Sequence, residues 1–215
     1  MKKYLFLLFF IFYLHAADFS TGLLIGYNGG SGFEFNSRIG QFARDFPLEL
    51  QFDINYTGLN PGNAAKARQI FINNATNGDP EKSGHFWDFR LSFLYKVNWL
   101  QLKHTYLLLG PRYALFTGNF KFIGGNEDFD ITNNQWGIGS GLISFFPMRR
   151  KMNFVLTTGF DYYFPGNFSG HDTIYRTDDE HINPRNDFSY DDADRAIKQP
   201  KFKLRFLMGI SYHLN

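Results

Sequence analysis

The chain has no cysteine among its 215 residues, which excludes disulfides and thiolate metal sites. It has almost no net charge to offer a polyanion. The formal value is +2, and it falls to zero if Lys2 and Lys3 leave with the leader described below. A nucleic-acid partner therefore has no electrostatic support. Long apolar runs are scarce too. Mean hydropathy is −0.30, and the one long run, Tyr4 to Leu14, is too short to span a bilayer comfortably as a helix. What is abundant is aromatic: 20% of residues, with 27 Phe and 12 Tyr. Strands that alternate polar and apolar residues would produce both numbers at once.

The apolar run follows Lys2 and Lys3 and precedes Ala16 and Ala17. That order is basic n-region, apolar core and small cleavage residues. Residues 1–16 are expected to be a cleaved signal peptide, and residues 17–215 one barrel domain. No cysteine follows the run, so lipoprotein processing is not expected. A retained anchor is the competing reading.

Period-two alternation carries the rest. From Pro200 to Leu214, Phe202, Leu204, Phe206, Met208, Ile210, Tyr212 and Leu214 share one face. Lys201, Lys203, Arg205, Leu207, Gly209, Ser211 and His213 share the other. Similar stretches cover 21–27, 32–39, 48–56, 87–97, 105–117, 135–145 and 154–164, which makes eight strands. Pro111 should interrupt pairing in the fifth, and 64–73 could form a short helix. The connections after the third, fifth and seventh strands (58–84, 118–133 and 165–199) read as long loops, whereas those after the even strands are short. An up-and-down meander puts these two sets at opposite rims. The fold class expected is all-β: an eight-stranded antiparallel up-and-down transmembrane barrel with three long loops at one rim.

Volume decides which face points out. Eight strands enclose just enough room for side chains to fill. The Phe- and Leu-rich face would overfill that space, so the soluble, lipocalin-like alternative is disfavoured. The inner face would then hold Glu34, Glu49, Asp53, Asp88 and Asp161 with Arg38, Arg90, Lys96, Arg112, Lys203 and Arg205. Buried charges must pair. Arg90 and Arg112, on neighbouring strands, are expected to draw on Glu49, Asp53 and Asp161. Tyr27, Tyr56, Trp87 and Trp136 should ring the long-loop rim, with Tyr95, Trp99 and Tyr212 at the other, as interfacial aromatics.

On the signal, the eight strands, the loop asymmetry and the closing strand, the chain resembles the small eight-stranded outer-membrane β-barrel family, of the porin-family or OmpX/OmpW-like kind. The resemblance covers about residues 18–215 and is architectural. It implies a bacterial outer-membrane location, contact with outer-membrane lipid, and handling by the barrel-assembly machinery. Family members often end in Phe or Trp; Tyr212 and Leu214 keep the alternation, while Asn215 departs from it.

No catalytic, cofactor or metal residues are assigned. Gly137-Ile-Gly-Ser-Gly141 lacks phosphate-loop spacing and a following helix, and reads as small residues making room in the lumen. Ser211 and His213 share the inner face, but the His-x-Ser-Asn motif of lipid A deacylases is absent, and no third group orients a base. The acidic loop (Asp172, Asp178, Asp179, Glu180, Asp187, Asp191, Asp192 and Asp194, with His171 and His181) lacks Asp-x-Asp-x-Asp-Gly spacing. A structural or surface-interaction role, with an extracellular ligand possible at the long loops, is the expectation. A narrow solute channel and a lipid-modifying enzyme are the alternatives.

Overall fold

The computed structural model describes residues 17–41, 46–98, 104–185 and 188–214. The expected signal peptide, Trp99 and Asp187 lie outside them. Ten strands and two helices follow in order: β1 (Asp18–Asn28), β2 (Ser31–Gly40), β3 (Leu48–Leu59), α1 (Ala64–Phe71), β4 (Asp79–Val97), β5 (Thr105–Ile123), β6 (Asp128–Arg149), β7 (Met152–Tyr163), β8 (Phe168–Gly170), β9 (Thr173–Tyr175), α2 (Tyr190–Ala196) and β10 (Phe202–His213).

Strands β1 to β7 and β10 form a closed antiparallel barrel. β1 pairs with β2 on one side and with β10 on the other, from Ser20↔His213 to Asn28↔Arg205. Closure leaves no unpaired barrel edge. The tight β1–β2 turn uses Gly29 at φ +73, a value glycine adopts without Cβ strain. Pro111 acts as expected from its missing N–H. The β4–β5 ladder lapses between Arg90↔Arg112 and Phe93↔Leu109, with no change of register. A register shift occurs instead in β6–β7, between Pro147 and Arg149.

One of the three expected long loops, 118–133, is mostly strand, and a second, 58–84, ends in strand from Asp79. The β4–β5 ladder continues to Asp79↔Ile123, and the β5–β6 ladder to Lys121↔Asp128. β3 stops at Leu59↔Gly84. The ends of β4, β5 and β6 therefore stand above the rim as a three-stranded sheet. The connection assigned to 118–133 is really the four-residue turn 124–127. Glycine, asparagine and charge make these segments look like loops. Above a membrane, however, a strand needs no apolar outer face, only one covered side.

That cover is a cap. Phe86, Phe116, Phe120, Phe122, Phe129 and Ile131 form one buried cluster with Ala67, Ile70 and Phe71 of α1, Phe168 of β8, Tyr175 of β9, and Ala193 and Ala196 of α2. Asn63 caps α1 by accepting from Lys66 N–H, and Ser189 and Asp192 form a capping box on α2. The described parts of 165–199 are thus folded structure seated on the extended sheet.

The faces divide as volume demanded. Leu23, Phe35, Phe52, Leu91, Leu109, Ile138, Phe160, Phe206 and Ile210 are exposed on the outside of the barrel. Their neighbours along each strand are mostly buried inside. Among the described residues no helix is long and apolar enough to cross a membrane; the strands carry the apolar belt. Leu91→Arg or Phe206→Arg is expected to cost about 2–4 kcal/mol if the residue lies near the midplane. Urea unfolding in lipid vesicles measures it, and an unchanged midpoint would contradict a lipid-facing position.

Candidate functional site

Charge is concentrated and dry in the lumen. Glu34, Asp88, Arg90, Arg112 and Asp161 are each at most 2% exposed. Alternation on β2, β4, β5 and β7 aims all of them inward. Arg90 and Arg112 sit opposite each other across β4 and β5, yet their guanidinium groups serve different acids. Arg90 donates to Glu34 at 2.5 Å, to Asp88 Oδ2 and to Asn28 Oδ1 at 2.9 Å. Arg112 Nε donates to Asp161 at 2.9 Å, and its Nη1 to Ser92 Oγ at 3.1 Å. Arg205 Nη1 reaches the other oxygen of Asp161 at 2.8 Å. Lys203 Nζ lies 3.6 Å from Asp88 and over the rings of Phe86 and Tyr163, at 3.6 and 4.7 Å from their centroids.

Sequence reasoning found these residues but mispaired some of them. Glu49 does not reach Arg90 or Arg112; it pairs with Arg38 at 3.3 Å near the short-turn end. Asp53 lies in the buried layer but accepts from Gln51 Nε2 at 2.6 Å. The acids that serve Arg90 come from its own strand and from β2, positions that face pairing alone does not single out. Lys96 is exposed at the short-turn mouth rather than inside the layer.

Glycine makes the layer possible. A Cβ on Gly139 would overlap Asp161 Oδ1 and Arg112 Nε, and one on Gly159 would come within 3.1 Å of Arg205 Nη2. Gly141 and Gly159 face each other across β6 and β7. Gly139 on β6 and Gly159 on β7 therefore make a notch that receives two arginines.

Apolar layers close the lumen above and below. Toward the short turns, Leu24, Leu94, Tyr106, Leu108, Ile143, Phe145, Val155 and Leu207 form a second buried cluster. Arg38 stacks on Phe145 there, 4.1 Å from its centroid. A mouth cavity of about 280 Å³, lined by Arg38, Glu49, Lys96, His104 and His213, reaches Tyr106 and Phe145 of that cluster. On the other side sits the cap. Buried Arg68 clasps it to the β5–β6 turn, pairing with Glu127 at 2.5 Å and donating to Asn77 at 2.6 and 2.9 Å. The bonds from Arg68 and then Asn73 hold the Glu127 carboxyl down to about 2, so the clasp is charged at neutral pH and weakens only in strong acid. None of this was legible as a cap in the sequence; the one available signal was the even-numbered alternation of Phe116, Phe120 and Phe122.

Tyr27, Tyr56, Trp87 and Trp136 are exposed toward the cap end, and Tyr95 and Tyr212 toward the short turns. Tyr56 and Trp87 are cross-strand neighbours in edge contact, 5.1 Å between centroids. Ser211 and His213 do not bond to each other; His213 Nε2 lies 2.9 Å from Asn153 Nδ2. In the acidic segment, Asp178 pairs with Arg176, Asp192 with Arg195 and Asp194 with Lys201.

A closed meander with a wet-side cap, an apolar outer belt and a paired ionic interior is an eight-stranded transmembrane β-barrel. No protein-family model and no curated protein matches the chain. Among solved structures it is similar to a major outer membrane protein from Thermus thermophilus. The TM-score is 0.75 at 23% identity, over 93% of this chain and 100% of that one. Neisserial surface protein A (NspA) aligns at TM-score 0.38 and 10% identity, over 91% and 93% of the two chains. The Thermus likeness shows the shared fold.

Gly139→Val should displace the Arg112–Asp161 pair and leave both charges short of partners, at a cost of about 3–5 kcal/mol. Folding in lipid, followed by heat-modifiable migration, reads this out. A variant as stable as the wild type would contradict the notch.

Proposed function

We propose that the chain is a bacterial outer-membrane barrel with a structural or surface-interaction role, its cap facing outward and its lumen closed. The observation that carries the reading is the three-layered interior: apolar floor, paired charges and apolar cap. A conducting path would have to break buried ion pairs and two packed apolar clusters together. The cap supports a surface role because it is a folded body with its own core, preorganised for contact. Outer-membrane lipid would meet the apolar belt. The outward alternation of Tyr212 and Leu214 suits handling by the barrel-assembly machinery.

The channel reading has one observation in its favour, the polar mouth at the short-turn end. It stops at Tyr106 and Phe145. An enzyme reading would need His213 aimed at a nucleophile, and its ring nitrogen meets an amide instead.

The wild type should fractionate with outer membranes and migrate faster unboiled than boiled. In planar bilayers it should give little or no conductance. Large, steady single-channel currents would contradict the closed lumen, and recovery as a soluble periplasmic monomer would contradict the exposed belt.

A further inference from the structure

Where the chain leaves the cap to enter β10, two adjoining concavities open on the membrane-proximal flank. One, of about 460 Å³, has Lys82, Arg195 and Lys198 in its wall. The other, of about 410 Å³, has Lys198 and Lys201 above, with Tyr27, Phe202 and Leu204 below. Lys203 lends only its stem to this wall, since its ammonium turns inward to Asp88. Neither wall contains a carboxylate, in a chain with 20 acidic residues.

Two of the four cations are already compensated, Arg195 by Asp192 at 2.7 Å and Lys201 by Asp194. The other two have no ion pair among the described residues. Lys82 Nζ donates to the Gly62 carbonyl at 2.6 Å, which orients the ammonium without cancelling its charge. Lys198 is exposed and has no ion pair among the described residues. The backbone holds this pair together: Gly62 and Ile197 form an antiparallel bridge, and Lys198 N–H donates to the Pro61 carbonyl at 2.8 Å. Two uncompensated positive charges thus flank one segment. In the lower wall stand the exposed rings of Tyr27 and Phe202, and tyrosine is a side chain of the kind that sits at headgroup level.

The geometry points to a binding site for the monoester phosphate of an outer-leaflet lipid, the headgroup held between Lys82 and Lys198 and the acyl chains lying over Tyr27, Phe202 and Leu204. This rests on the reading of the chain as a transmembrane barrel with its cap outward. The charge matches: a phosphate monoester carries about −1.5 to −2 at neutral pH, and basic pockets beside a membrane bind lipid headgroups on this principle.

The test uses the mature barrel in phosphatidylcholine nanodiscs doped with bis-phosphorylated lipid A, or with the same lipid after enzymatic dephosphorylation. After release into neutral detergent, native mass spectrometry counts the lipid retained. The wild type should keep the phosphorylated lipid and lose the dephosphorylated one. Lys198→Gln alone, and Lys82→Gln with Lys198→Gln, should lower retention by about fivefold per ammonium removed. Both variants should keep wild-type heat-modifiable migration, which shows that the barrel itself is intact. Equal retention by wild type and double variant, or equal retention of both lipids, overturns the site. Displacement of the lipid by inorganic phosphate at comparable concentration reassigns it to a free anion and overturns the lipid assignment. A wild type that never enters the nanodisc overturns the transmembrane reading, and this site with it.

Discussion

The structure depends on pairing charges where water cannot reach them. Asp161 holds Arg112 and Arg205 with its two oxygens, at 2.9 and 2.8 Å. Asp88 and Glu34 hold Arg90, and Lys203 closes the group against Asp88. These contacts join β2, β4, β5, β7 and β10 across the barrel axis, so they tie strands that do not share a ladder. Attraction at these distances in a low dielectric is large, but so is the cost of desolvating each ion. The net effect is specificity: in this register Arg90, Arg112, Arg205 and Lys203 each meet an acid, while Asp53 is held by Gln51. A shift of one residue in any strand would send that strand's charges into lipid and its phenylalanines into the lumen.

Other features follow from that layer. The arginines need volume, and glycines on β6 and β7 supply it. The layer needs dry boundaries, and the apolar floor and the cap supply those. The cap in turn needs a platform, which is why β4, β5 and β6 continue past the rim. Their extended sheet lets α1, α2 and β8 bury Phe86, Phe116, Phe120 and Phe168. The cap is anchored by its own buried cation, Arg68, stacked 4.4 Å from the centroid of Phe122.

Strand number, order and facing were legible because period-two alternation is a local signal and a membrane enforces it. Lumen membership was legible for the same reason: Glu34, Asp53, Asp88, Arg90, Arg112, Asp161, Lys203 and Arg205 could be placed inward one strand at a time. Partner choice was legible only for Arg112 with Asp161. It depends on strand stagger, which puts Glu49 level with Arg38 and Glu34 level with Arg90, and stagger is a property of the closed barrel. Strand ends above the membrane were hidden too. There the outer face is polar and glycine-rich, and the remaining signal is phenylalanine recurring on one face with nothing local to say what covers it.

The most direct test is a double-mutant cycle on Arg112 and Asp161, with urea unfolding in lipid vesicles. Asp161→Leu should cost about 3–5 kcal/mol, because it strands both Arg112 and Arg205, and Arg112→Leu should cost less, because Asp161 keeps Arg205. The double variant should cost clearly less than their sum, with a coupling energy above about 0.5 kcal/mol. Small single effects that simply add would contradict a lumen organised by paired charge.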